Sequence, residues 1–236
     1  MSTTQRSEAE LRKIAALGAE ELGLDSTAEQ VINFAAHHFA AREIAVACSM
    51  ADAVLPHLVS AAIPDVDVLF LQTGYHFAET ISTRDEVARA LPVRIIEVLP
   101  ELTVDEQDAI FGRDLFTRDT AACCQMRKMD PLRNSLKAYG AWFTGVRREE
   151  APTRANTPLV GFDEKHGLVK FNPLAAWSFD ELIGYAAEHS APVNMLLAQG
   201  YPSIGCQPCT RPVAEGEDPR AGRWAGLAKT ECGIHI

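Results

Sequence analysis

Three short apolar runs, Ile44 to Cys48, Val66 to Leu71 and Val93 to Val98, are rich in Val, Ile and Leu, the pattern of strands buried on both faces of a parallel sheet. Between them, Ala51 to Ala62 and Glu79 to Leu91 have the length of helices that cross back over a sheet, so the order reads β-α-β-α-β. Pro56 is compatible with the first of these helices, because a proline in an opening turn loses little hydrogen bonding. Two helices precede the first strand, marked by the capping boxes Ser7-x-x-Glu10 and Ser26-x-x-Glu29. A helix starts at Thr103, again with Glu three residues on, and another carries Cys123 and Cys124 up to about Gly140. Ala141 to Val146 is a further strand, and Leu159 to Phe162 with Leu168 to Phe171 form a hairpin across Lys165-His166-Gly167. Ser178-x-x-Glu181 caps one more helix. From Tyr201 onward the periodicity vanishes, Pro, Gly, Cys and Arg dominate, and the chain reads as a long ordered loop followed by a mobile tail.

Composition narrows this picture. The chain has 236 residues, 47% apolar and 23% charged, the balance of an ordinary globular protein with one sizeable core. Its net charge of -10 argues against a general binder of nucleic acid or anionic membrane, which must present positive charge to phosphates. The first 24 residues mix Glu and Arg into their apolar positions, unlike a secretory signal, and no run approaches the roughly 18 apolar residues of a membrane span. A cytoplasmic protein is expected, and there cysteine pairs point to metal binding or redox chemistry more than to disulfides.

The six cysteines are Cys48, Cys123, Cys124, Cys206, Cys209 and Cys232. Cys206-Gln-Pro-Cys209 is a C-x-x-C pair whose thiolates can converge on one metal centre, and Cys123 with Cys124 supplies a second pair. Neighbours on a helix point about 100° apart, which suits two corners of an iron-sulfur cube better than two corners of a zinc tetrahedron. A 4Fe-4S cluster is therefore the leading reading, with zinc or uncoordinated redox thiols as alternatives. Cys48 ends an apolar strand and reads as a small buried hydrophobe.

Between Cys123 and Arg148 lie six basic residues, Arg127, Lys128, Arg133, Lys137, Arg147 and Arg148, against the single acid Asp130. A concentrated positive patch in an acidic protein suits a small anionic substrate. Arg133 and Lys137 read as solvated helix face, whereas Lys128 lies within five residues of two candidate metal ligands. Cys232 has no cysteine near it in sequence; Lys229 and His235 can stabilise its thiolate, and Gly233 leaves the backbone free to approach a ligand. These features favour a nucleophile over an inert surface thiol.

Taken together, the motifs resemble the assimilatory sulfonucleotide reductases, specifically the bacterial iron-sulfur adenylyl-sulfate (APS) reductases. The matching segments are Cys123-Cys124-x-x-Arg127-Lys128-x-x-Pro131-Leu132, Gly74-Tyr75-His76-Phe77-x-Glu79-Thr80, Trp142-x-Thr144-Gly145-x-Arg147-Arg148, Cys206-x-x-Cys209 and Glu231-Cys232-Gly233-Ile234-His235. The resemblance runs from about residue 42 to the end. It implies an α/β fold, a parallel-sheet α/β/α sandwich of the adenine-nucleotide hydrolase type, with a modified PP-loop at Ser49-Met50-Ala51-Asp52-Ala53. Relatives that use ATP carry Ser-Gly-Gly-x-Asp-Ser, whose glycines let backbone donors close on a pyrophosphate; neither glycine is present here, which suits a ligand with one phosphate and one sulfate. Gln72 and Glu150-Ala151 also depart from the common pattern of Asp and Gln-Ser. Residues 1–200 are expected to form the nucleotide-binding and cluster-bearing domain, with 1–41 as its helical extension and 201–236 as a cysteine-bearing loop and catalytic tail of the same domain.

The implied reaction is thioredoxin-dependent reduction of adenylyl sulfate to sulfite and AMP through an S-sulfocysteine on Cys232. By motif position, Lys128, Arg220, Arg223 and His235 would face the sulfate and phosphate, and Ser49, Gly145 and Arg154 would hold the nucleotide. Arg147 is either a substrate contact or a structural ion pair. Cys123, Cys124, Cys206 and Cys209 would ligate the 4Fe-4S cluster. The implied partners are adenylyl sulfate and thioredoxin, with no nucleic acid and no membrane, and a homo-oligomer is left open. Two alternatives stand beside this reading. One is a reductase of the 3′-phosphorylated nucleotide (PAPS), whose representatives generally lack the four cluster cysteines; the other is a zinc-stabilised nucleotide-binding protein.

Overall fold

Six strands form one sheet: β1 (Ile44–Ala47), β2 (Val66–Leu71), β3 (Val93–Val98), β4 (Ala141–Thr144), β5 (Val160–Asp163) and β6 (Leu168–Phe171). Their order is β3-β2-β1-β4-β6-β5, parallel throughout except that β5 runs antiparallel to β6. The structure, a computed structural model, describes residues 6–24, 26–224 and 233–234. The chain starts at the central strand β1, builds outward through β2 and β3, and then crosses to the other side of β1 with β4. That reversal opens a crevice at the carboxyl ends of β1 and β4, where ligands of such sheets bind.

The apolar runs that announce β1, β2 and β4 are buried on both faces; Ile44, Val46, Val68, Phe70, Trp142 and Phe143 are all closed to solvent. Helices α1 (Glu8–Glu21) and α2 (Ala28–His38) belong to this core through Leu11, Ala15, Val31, Ile32 and Ala35. Ser7 caps α1 with Glu10 as expected. At α2 both Ser26 and Thr27 head a capping pattern, and the structure uses the second: Thr27 Oγ1 accepts from Gln30 N at 3.2 Å while Gln30 Oε1 accepts from Thr27 N at 2.7 Å.

Helix α3 (Val54–Ala62) begins three residues later than its apolar pattern suggests. The backbone before it is diverted into pairing with another segment: Asp52 bridges Val193, Asn194 N donates to the Ala51 carbonyl at 3.0 Å, and Ala53 N to the Pro192 carbonyl at 2.8 Å. Helices α4 (Ala78–Ala90) and α5 (Val104–Phe111) follow β2 and β3. Short α6 (Leu115–Arg118) leads to α7 (Thr120–Cys124), and α8 (Asp130–Leu136) returns the chain to β4.

Residues Gln125–Met129, between α7 and α8, are wound as one π turn, closed by Asp130 N on the Gln125 carbonyl. The sequence predicts an unbroken helix here. Pro131, however, has no N–H to offer the carbonyl four residues back, and its ring crowds that carbonyl, so the helix widens just before it. Helix α9 (Phe179–His189) is capped by Ser178 and Glu181 as predicted. Among the described residues, no helix is long and apolar enough to cross a membrane.

Candidate active site

The crevice at the reversal point opens into a cavity that is continuous with solvent. Four segments wall it: the loop after β1, the loop after β2, the stretch from Gly145 to Arg154 after β4, and the chain from Pro202 to Arg223. Of the positions singled out in the sequence as substrate-binding, Ser49, Lys128, Gly145, Arg147, Arg154, Arg220 and Arg223 all line this one space. Cys232 and His235 lie outside the described residues, although Ile234, between His235 and Gly233, is on the cavity wall.

The loop after β1 reaches its turn at Met50, whose φ of +59° is left-handed. The absent glycines of the ATP-using pattern are thus replaced by a buried methionine that carries the strain, held by Asn194 Nδ2 on the Met50 carbonyl at 3.1 Å. Asp52 Oδ1 accepts from Val54 N at 3.0 Å; burial raises its carboxyl above the ordinary range despite the opposing pull of Arg147. Cys48 lies beside it, donating to the Asp52 carbonyl at 3.4 Å, and burial pushes its thiol up to about 12. Its burial disfavours the thiolate, but the sequence expectation of a small buried hydrophobe is met only in part, since Cys48 is half-buried and lines the cavity.

Arg147 and Arg154 are both buried and share one carboxylate. Glu150 Oε2 accepts from Arg154 Nη1, and Glu150 Oε1 lies 3.7 Å from Arg147 Nη2. Arg147 also pairs with Glu149 at 3.4 Å. Of the two readings of Arg147, the ion pair is present, and the side chain also lines the cavity. Arg148 turns instead to the Thr157 carbonyl at 2.9 Å. On the opposite wall, Arg223 Nη1 donates to Ser203 Oγ and to the Ile204 carbonyl, both at 3.2 Å, while its guanidinium lies 4.5 Å over the Trp224 ring. A Cβ on Gly205 would fall 2.4 Å from Arg223 Nη2, so only glycine lets the guanidinium lie there.

Next to this cavity is a smaller one lined by Cys123, Cys124, Cys206 and Cys209, with Tyr75, Lys128 and Trp224. All four thiols singled out in the sequence meet here, brought by α7 and by the turn Gln207–Cys209. The turn that carries Cys206 is tied to the loop after β2, by Gln207 N on the Tyr75 carbonyl at 2.7 Å and by Cys206 Sγ on Thr73 Oγ1 at 3.4 Å. Arg127 fixes the third side. Only 3% exposed, it donates to the carbonyls of Thr73 and Leu102 and to Gln107 Oε1, with its guanidinium over the Tyr75 ring. Gly74 is required at this junction, since it has φ +78° and a Cβ would meet Val104 at 2.7 Å.

Lys128 and Cys206 belong to both cavities. Burial works against ionisation of Cys206, but the Lys128 ammonium, hydrogen bonds from Thr73 and Lys128, and Arg223 outweigh it and lower its thiol. Cys123 moves the other way, pushed up to about 12 by burial and by the three neighbouring thiols. Among the described residues, no three His, Cys, Asp or Glu donors converge closely enough for a single metal ion.

Residues 43–212 match the phosphoadenosine phosphosulfate reductase domain family. An adenosine 5′-phosphosulfate reductase of Mycolicibacterium smegmatis is 52% identical over 99% of this chain and 98% of its own length. The chain belongs to the adenosine 5′-phosphosulfate reductase family. It is accordingly an oxidoreductase acting on a sulfur group, a sulfonucleotide reductase of sulfate assimilation. The corresponding reductase of Streptomyces coelicolor is also 52% identical, over 98% of this chain and 97% of its own. In fold, the chain is similar to the crystal structure of phosphoadenylyl-sulfate (PAPS) reductase from Candida auris in phosphate complex, with a TM-score of 0.67 and 24% identity over 90% of this chain and 99% of that one. The relatives span α1 and α2 as well, which carry no motif but supply core.

Several cavity residues of this reductase had no role assigned from sequence. His76 stacks on Phe70 with ring centroids 4.6 Å apart, and burial and nearby cations hold its imidazole down to about 4, so it is neutral. Its place in the Gly74-to-Thr80 motif was a signal without a stated use. Glu150 stood out as a departure from the family pattern. Ser203 and Thr73 gave no signal, because they act on neighbours in space and not in sequence.

Proposed function

We propose that this reductase cleaves adenylyl sulfate to sulfite and AMP in the cytoplasm, using Cys232 as nucleophile and thioredoxin as electron donor. The observation that carries the reading is that seven anion- and nucleotide-binding candidates from four separate segments line one cavity, with Ile234 of the Cys232 tail on its wall. The Cys232 thiolate attacks the sulfur of adenylyl sulfate; the S–S bond forms as the bond from sulfur to the phosphate oxygen breaks, and AMP leaves with that electron pair. A thioredoxin thiolate then attacks Cys232 Sγ, sulfite departs with the S–S pair, and the second thioredoxin thiol resolves the mixed disulfide. Sulfur is reduced by two electrons and thioredoxin is oxidised to its disulfide.

The cations do what this chemistry requires. Lys128, Arg220 and Arg223 present fixed positive charge to oxygens that are anionic in substrate and transition state alike. Arg147 and Arg154, held by Glu149 and Glu150, would hold the nucleotide, while Ser49 and Gly145 offer the ends of β1 and β4 to it. Cys123, Cys124, Cys206 and Cys209 would hold a 4Fe-4S cluster. Four thiols from two segments line one small cavity beside Lys128, a donor set of the kind that iron-sulfur clusters take. When bound, such a cluster supplies fixed charge next to Lys128 and orders the turn that carries Cys206. Sulfite release from adenylyl sulfate and from its 3′-phosphorylated form, with thioredoxin supplied to iron-loaded protein, tests the assignment. A clear preference for the unphosphorylated nucleotide is expected, and the reverse preference would establish the PAPS reading.

A further inference from the structure

Asn194, fully closed to solvent, belongs to none of the motifs, yet its side chain joins three segments that build the walls of the substrate cavity. Its Nδ2 donates to the Met50 carbonyl, in the loop after β1, at 3.1 Å and to Thr80 Oγ1, in the first turn of α4, at 3.3 Å. Its Oδ1 accepts from Leu196 N at 3.0 Å and so caps the turn Met195–Gln199. The amide can sit only this way round, since a carbonyl needs a donor on one side and an N–H needs an acceptor on the other. An apolar cluster repeats the same junction: Phe77, Leu196 and Ile204 are buried together, with Ala51, Leu197 and Tyr201 packed against them. Ala51, Leu197 and Ile204 also line the cavity.

The loop after β1 needs such a hold. Met50 has φ +59°, a left-handed conformation that a side chain resists. Its own side chain is buried in the main core, whereas its neighbours Ser49 and Ala51 line the cavity. The pairing of 51–53 with 192–194 fixes the loop just beyond the turn, and the Asn194 amide fixes it at the turn itself. We propose that Asn194 is a positioning residue for nucleotide binding: it pins the Met50 turn to α4 and to the 195–199 turn, so that Ser49 and Ala51 face the ligand in one arrangement before the ligand arrives. This rests on the reading of the cavity as the nucleotide site. Preorganisation of this kind strengthens the hold on the nucleotide in ground state and transition state alike. It therefore acts on KM and on AMP affinity and leaves the chemical step untouched.

The test uses full-length, iron-loaded wild type, Asn194→Ser, Thr80→Val and Val87→Ala. AMP is titrated by calorimetry, stability is read from urea midpoints, and sulfite release from adenylyl sulfate is followed with thioredoxin supplied. Serine keeps an oxygen for Leu196 N and removes both amide donations. In Asn194→Ser, AMP affinity should fall and KM should rise together by about tenfold, the weight of a buried acceptor deprived of its donor, with kcat within about twofold of wild type. Thr80→Val removes the amide's second acceptor and should weaken AMP about threefold. Val87, buried in the core on α4, supplies the control: Val87→Ala lowers the urea midpoint by opening a cavity and should leave AMP affinity at the wild-type value. Wild-type AMP affinity in Asn194→Ser, or in Thr80→Val if the serine variant does not fold, would overturn the inference. An equal loss of affinity in Val87→Ala would overturn it too, by assigning the effect to stability. Wild-type protein that binds neither AMP nor adenylyl sulfate would overturn the nucleotide reading of the cavity and this inference with it.

Discussion

Lys128→Met removes one positive charge from the wall that the two cavities share and keeps most of the apolar stem. The ammonium donates to Cys206 and helps lower its thiol, so its position is fixed before substrate arrives. Two unit charges 4 Å apart interact by about 1 kcal/mol in bulk water and about 4 kcal/mol at the effective dielectric of a protein surface. Lys128 is half-buried, so the expected loss of transition-state stabilisation is roughly 2 to 3 kcal/mol, or about 30- to 150-fold in kcat/KM. An exposed ion pair would contribute no more than about 1 kcal/mol, and that difference is what the measurement decides. Sulfite release at saturating thioredoxin gives kcat/KM, competition by AMP reports binding of a ligand without the sulfuryl group, and iron content shows whether the thiol cavity survives. The expected pattern is a large fall in kcat/KM, a smaller change for AMP and near-normal iron. A variant with full iron and kcat/KM within about twofold of wild type would refute the reasoning and leave anion recognition to Arg220 and Arg223.

Gly205→Ala places a Cβ 2.4 Å from Arg223 Nη2 and should lower kcat/KM about tenfold by displacing the guanidinium; the same substitution in an Arg223→Ala background should then have little further effect, and additive losses would disprove the coupling. His76 is held from 6.5 down to about 4, so between those values the unfolded chain takes up a proton that the folded chain refuses, and stability falls as pH falls through that window by up to about 3 kcal/mol. Urea titrations near pH 7.5 and about pH 5 should show a smaller difference in His76→Gln than in wild type, and equal differences would remove His76 as the cause. Serine at Cys123, Cys124, Cys206 or Cys209 should reduce or abolish bound iron and acid-labile sulfide, and any variant retaining both in full is not altered at a ligand. Cys232→Ser should keep iron and AMP affinity while sulfite release stops, and substantial turnover would end its assignment as nucleophile.

The strands were legible because burial on both faces leaves an uninterrupted apolar run, and three of the four capping boxes were legible because their partners are three residues apart. The π turn was not, since its cause, Pro131, reads equally well as a residue near the start of a fresh helix. The basic segment shows the limit more sharply. Arg127, Lys128 and Arg133 lie within seven positions in sequence, yet Arg127 is buried against carbonyls, Lys128 reaches a thiol, and Arg133 pairs with Asp130 in solvent. Which of the three fates a cation meets depends on what the β2 loop and the 201–224 segment bring to it, and that is a property of the fold. Glu150 makes the same point: it pairs with Arg154, four residues on, across an extended Ala151 and not along a helix, so the helical spacing rule does not predict the pair.

The account stands on Cys232 as the atom that takes the sulfuryl group. Wild-type protein incubated with adenylyl sulfate in the absence of any reductant, digested and mapped by mass, tests this most directly. The expected result is one SO3 group on the peptide that contains Cys232, AMP released in equal amount, and discharge of the group as sulfite when thioredoxin is added. Sulfite formation under turnover with Cys232 never modified would contradict it.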